Sequence, residues 1–142
     1  MKRRLSLAVA LLAISGLVSA QVPECSDTQA RAAEAGIDRL KTWTDLHAAF
    51  KKFHFCDDGG IAEGWDDFVA RMLARRWNKL SELHKLSAVD TRFRAFVIRH
   101  ISNTADGDDL DLARVNAREH CPKSAQRLCA DIAAAVKKLS EK

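Results

Sequence analysis

The sequence predicts an all-α fold, a compact bundle of five to seven helices stapled by two disulfides. Three observations predict it. Apolar residues recur at spacings of three and four through most of the chain, and no strand-like alternation persists. Only two Pro and six Gly interrupt 142 residues, and Tyr is absent. Four Cys follow an amino-terminal export signal, and an even count in an exported domain reads as paired thiols.

The signal occupies residues 1–20. Lys2, Arg3 and Arg4 give a basic start, and Leu5 to Val18 is an apolar run broken only by Ser6, Ser15 and Gly16. Val18-Ser19-Ala20 places small residues where a signal peptidase reads, so cleavage is expected between Ala20 and Gln21. The run is about 14 residues, short of the roughly 20 that span a bilayer. A cleaved signal therefore fits better than an anchor, and no membrane span is expected after cleavage. Residues 21–142 then form a single exported helical domain, large enough to bury one core.

The helices read in order. Ser26 suits the cap of a first helix over Asp27 to Ala35, with Gln29 as the other half of a capping box and Gly36 as the stop. A second helix runs from Thr42 to Phe53, with Trp43, Leu46, Phe50 and Phe53 on one face. Cys56-Asp57-Asp58-Gly59-Gly60 reads as a turn. The clearest helix follows. Ile61, Trp65, Phe68, Val69, Met72, Leu73, Trp77 and Leu80 make one apolar stripe, with Glu63, Asp66, Asp67, Arg71 and Arg75 expected on the solvent side. A helical turn around Leu80, Leu83 and Leu86 leads to Asp90, a good N-cap for the helix carrying Phe93, Phe96, Val97 and Ile101. Asn103 to Asp109 reads as a polar, acidic loop, and Leu110 to His120 as another helix. Pro122 is expected to open the last helix, which buries Ala125, Leu128, Cys129, Ile132, Val136 and Leu139.

Cys25, Cys56, Cys121 and Cys129 allow three pairings. If the chain is helical between Cys121 and Cys129, their separation by rise alone is about 12 Å. A bridge tolerates roughly 7 Å between Cα atoms. Long-range pairing of each with Cys25 or Cys56 is therefore expected, with an expected contribution of about 2–4 kcal/mol per bridge.

Charge and motifs exclude several function classes. The chain carries 23 basic and 19 acidic residues. With Lys2, Arg3 and Arg4 removed, 20 face 19, and no general attraction to nucleic acid remains. His47, His54 and Cys56 do not match a zinc-ligand spacing, and neither a metal nor another cofactor is expected. His100 lies on the apolar side and reads as a satisfied buried histidine, while His84 and His120 read as surface or helix-end residues. Asp106-Gly107-Asp108-Asp109-Leu110-Asp111 puts Leu110 where a calcium loop needs a ligand. Asp57, Asp58, Glu63, Asp66 and Asp67 could set two carboxyls at glycosidase spacing. An acidic helix start accounts for the same residues without catalysis. No nucleophile elbow and no phosphate-cradling Gly loop is present, so no catalytic residues are expected. Trp43, Trp65 and Trp77 sit at core spacing.

One stretch of pattern goes further. Cys56-Asp57-Asp58-Gly59-Gly60-Ile61-Ala62-Glu63-Gly64-Trp65 is followed by FRAFVIRHISNT over Phe93 to Thr104, then an Asp-rich loop, Cys121-Pro122 and Leu128-Cys129. This order resembles the immunity proteins paired with type VI secretion amidases, over about Cys56 to Leu139. The resemblance implies a periplasmic helical inhibitor, often a homodimer, whose partner is a secreted peptidoglycan amidase. It also implies a protruding loop that enters the amidase cleft. The candidate partner-binding residues are then the acids of the two Gly-containing segments: Asp57 and Asp58, and Asp106, Asp108 and Asp109. Two competing functions remain, a glycan-acting envelope enzyme using the Asp57 to Asp67 acids and a chaperone-like helical module.

Overall fold

The structure, a computed structural model, describes residues 23–141. The expected export signal, residues 1–20, lies outside the described residues. Among the described residues there are seven α-helices: α1 Asp27–Ile37, α2 Trp43–Phe53, α3 Gly59–Arg75, α4 Leu80–Val89, α5 Thr91–Arg99, α6 Gly107–Glu119 and α7 Gln126–Leu139. Short 3-10 turns at His54–Cys56, Trp77–Lys79 and Lys123–Ala125 join three of the pairs. No described helix is long and apolar enough to cross a membrane.

Side-chain caps set most of the helix starts. Ser26 and Gln29 form the expected capping box of α1, and Thr42 and Asp45 form a second one at α2. Asp58, Asp90 and Asp106 cap α3, α5 and α6, each carboxylate accepting a backbone N–H of the first turn. The α1 helix runs one residue past Gly36, the expected stop, to Ile37. Gly59 opens α3 with φ of +51°, a left-handed conformation that glycine adopts without a Cβ clash.

The α3 helix is the centre of the bundle. It packs between α1 and α6, α6 packs in turn against α7, and α4 lies against α5 and α2. Gly64 lets α1 approach closely, since a Cβ there would lie 2.6 Å from Ile37 Cδ1. Trp43, Trp65, Phe93, Phe96, Leu46, Leu73, Leu80, Leu83 and Ile132 are fully buried. Each such side chain contributes about 1.5–3 kcal/mol by leaving water. Trp65 meets Phe96 edge-on at 5.0 Å between ring centroids, and Phe96 also packs on Phe50 at 4.9 Å.

Five expectations need correction. The α3 stripe stops at Arg75, because the backbone leaves helical geometry at Arg76 (φ −126°, ψ 35°). Trp77 therefore belongs to the following turn, half-buried, with its indole N–H donating to the His120 carbonyl at 2.9 Å. Asp66 is not on the solvent side. It is 6% exposed, sharing an interior flank of α3 with Val69, Ala70 and Leu73. The α6 helix starts at Gly107 rather than Leu110, because the Asp106 cap turns part of the expected acidic loop into helix. Finally, the disulfides are Cys25–Cys56 and Cys121–Cys129, not long-range pairs across the two halves. Pro122 does not open α7. It holds an extended conformation (ψ 141°), a 3-10 turn follows, and α7 begins only at Gln126. The chain thus folds back between the two Cys, bringing their Cα atoms to 6.1 Å, within bridging range.

Candidate functional site

The loop between α5 and α6 is tied to the interior by a polar cluster. His100 follows the last residue of α5 and is 3% exposed, buried against Trp65 and Phe96. Its Nδ1 lies 2.6 Å from Asp66 Oδ1 on α3. The other oxygen of Asp66 accepts a hydrogen bond from the Thr104 hydroxyl, in the middle of the loop. Ser102 Oγ lies 3.0 Å from Thr104 Oγ1 and tightens the same turn. His100 Nε2 lies 3.3 Å from Asp57 Oδ1, at ion-pairing distance but without hydrogen-bond geometry. Asp57 in turn binds the Arg99 guanidinium. One buried carboxylate on the central helix therefore holds both the start and the middle of the α5–α6 loop. Buried polar groups satisfied in this way rigidify the segments they join.

The sequence-predicted carboxylates fall into two groups. Asp57 is half-buried and engaged by Arg99 and His100. Asp109 is 3% exposed and accepts a hydrogen bond from Arg75 Nε at 2.7 Å. That ion pair and bond raise the Arg75 guanidinium above its ordinary value, the hydrogen bond to Asp109 being the larger cause. These two acids are internal ties. Asp58, Asp106 and Asp108 are exposed, although Asp58 and Asp106 also cap helices. The segments do not form one acidic surface. Asp57 and Asp58 precede the first residue of α3, while Asp109 bonds the last, and 17 residues of helix span about 25 Å.

His100 is buried as expected, with one ring nitrogen hydrogen-bonded and the other not. Asp66 and Thr104 were not among the predicted partner-binding residues, although Asp66 was one of the acids considered for glycan chemistry. The detectable signal for Asp66 was its spacing of three, four and seven from Val69, Ala70 and Leu73. Thr104 carried no signal, because nothing local to a polar loop marks which hydroxyl reaches inward. At the other end of α5, His47 Nε2 lies 2.9 Å from Asp90 Oδ2, and Asp90 also caps Phe93 N–H. These two bonds, the one to His47 foremost, hold the Asp90 carboxyl below the ordinary carboxylate range.

Among the described residues, no cluster of three or more His, Cys, Asp or Glu side chains is arranged to hold a metal ion. No family model matches the chain, and neither a curated protein nor a solved structure matches it.

Proposed function

We propose that this protein is a periplasmic immunity protein that inhibits a type VI-secreted peptidoglycan amidase, filling the enzyme's cleft with the α5–α6 loop. The observation that carries the reading is the tie from buried Asp66 to His100 and Thr104. An inhibitory loop loses affinity by whatever entropy it must give up on binding. This loop is already held at two points from inside, while Asn103, Asp106 and Asp108 remain exposed at and beyond its apex. Exposed carboxylates can accept hydrogen bonds from donors lining a cleft, and a rigid polar loop on a helical scaffold is a common carrier of recognition. Two disulfides are consistent with an exported domain.

The test is an amidase assay with the cognate effector, titrated with wild-type protein and variants. Asp106→Asn with Asp108→Asn should weaken inhibition at least tenfold, by order of magnitude for hot-spot loss, with helical content unchanged. Asp58→Asn separates the second segment. Full amidase activity at excess wild-type protein would exclude the immunity reading. Equal inhibition by all the loop variants would leave the function standing and remove the loop from it.

A further inference from the structure

A second surface lies in the cleft between α6 and α7. The cleft has a volume of about 660 Å³ and is lined by Arg114 and Arg118 from α6 and by Ala133, Ala134 and Lys137 from α7. Three cations therefore line one cleft, with the small side chains of Ala133 and Ala134 between them, in a domain whose charge is otherwise nearly balanced. Two of them have weak local partners. Arg114 lies 3.4 Å from Asp111 and Lys137 lies 3.5 Å from Glu141, both in exposed pairs. Such pairs contribute little and exchange readily for a better acceptor. Arg118 is exposed and has no ion-pair partner among the described residues. The helix dipole accounts for Arg118 and Lys137, which sit in the last turns of α6 and α7. It does not account for Arg114 at mid-helix.

We propose that this cleft binds an extended acidic peptide segment with carboxylates on alternate residues. Arg114 and Arg118 are one helical turn apart, about 6 Å along the axis. Alternate side chains of an extended chain are spaced about 6.6 Å apart, so two carboxylates meet two guanidiniums in register. The small side chains of Ala133 and Ala134 leave the peptide backbone room to approach α7, and Lys137 faces the same ligand from that helix. Asp111 also lines the cleft and sets its polarity, so the carboxylates of the peptide lie toward Arg114, Arg118 and Lys137 and away from Asp111. The proposal does not rest on the amidase reading.

The experiment is fluorescence anisotropy with a fluorescein-labelled Glu-Ala-Glu-Ala-Glu peptide and the full mature protein at low salt, with inorganic pyrophosphate as competitor. Saturable binding is expected, lost in the Gln-Ala-Gln-Ala-Gln control. Arg114→Gln with Arg118→Gln should weaken it about tenfold or more, and Lys137→Gln by a smaller factor. Arg71→Gln, an exposed change on α3, should alter it less than about twofold. Circular dichroism melts check that each variant is folded. The proposal is overturned by absence of binding, by equal binding of the Gln peptide, or by an equal loss in Arg71→Gln. Displacement by pyrophosphate at a far lower concentration than by unlabelled peptide would make the cleft a phosphate site, and the peptide assignment would fail.

Discussion

Replacing Asp66 with Ala tests whether a single carboxylate holds the α5–α6 loop. Asp66 accepts from His100 Nδ1 and from the Thr104 hydroxyl, and both Asp66 and His100 are buried. A hydrogen bond to a charged group contributes about 1.5–3 kcal/mol, and two are lost. His100 Nε2 already lacks a hydrogen-bond partner, so the variant leaves the buried imidazole with no hydrogen bond and only Asp57 at ion-pairing distance. Against that, the desolvation of the Asp66 carboxylate itself is no longer required. The expected net loss is about 3 kcal/mol, a large share of a typical 5–15 kcal/mol stability but short of unfolding. Asp66→Asn keeps one acceptor oxygen and should lose only about 1 kcal/mol. The assay is urea unfolding followed by tryptophan fluorescence, with native-state hydrogen exchange at residues 102–106. A loss of about 3 kcal/mol with faster exchange in that segment is expected. A loss under about 1 kcal/mol, or unchanged exchange there, would refute the reasoning, because the loop would then be held by its own turn hydrogen bonds.

Four further outcomes are expected. Trp65→Ala should destabilise by about 3–5 kcal/mol in denaturant melts, since the ring is fully buried against Phe96 and His100. Thiol titration under denaturing conditions should find no free thiol among the four Cys, and a non-reducing digest should recover Cys25–Cys56 and Cys121–Cys129. By loop-closure entropy, removing the Cys25–Cys56 bridge should cost about 3.7 kcal/mol and removing Cys121–Cys129 about 2.5, from separations of 31 and 8 residues. The depressed Asp90 carboxyl binds a proton less readily in the folded chain than in the unfolded one. Its contribution is complete above the unfolded value of about 3.9 and is lost as pH falls through the lower folded value. Asp90→Asn should therefore flatten the fall in stability below about pH 4, measured by urea melts across an acid series.

The helices were legible because amphipathic periodicity and caps are local. Ser26 with Gln29, and Asp90 ahead of Phe93, write a helix start into three or four consecutive residues, and both caps are present. What failed was non-local or depended on one bend. The Cys121–Cys129 expectation assumed a continuous helix, and a single 3-10 turn after Pro122 halves the separation to 6.1 Å. The burial of Asp66 was hidden by its type. A carboxylate in an otherwise apolar flank reads as solvent-facing until a partner is known, and its partners stand 34 and 38 residues away. Asp109 is the same case, its burial resting on Arg75 at a distance of 34 residues.

That concealment changes how the acidic segments bear on function. Composition groups Asp57, Asp58, Asp106, Asp108 and Asp109 as five equivalent loop acids. Packing divides them. Asp57 and Asp109 each meet a guanidinium at an end of α3, and removing either leaves a cation without its partner. A loss of inhibition in those two variants would confound stability with recognition. Asp108 is exposed and makes no cap and no ion pair among the described residues, so it can be changed at almost no structural cost. Asp58 and Asp106 lie between, since each carboxylate donates its acceptor capacity to a helix start, where loss costs about 1 kcal/mol. A carboxylate has room for more than one donor, so capping leaves lone pairs for a partner. Recognition through exposed acids therefore predicts an ordering distinct from stability. Asp108→Asn should weaken inhibition with an unchanged melt, and Asp109→Asn should lower the melt. Inhibition that follows the melts across all five variants would mean that these acids serve the fold alone.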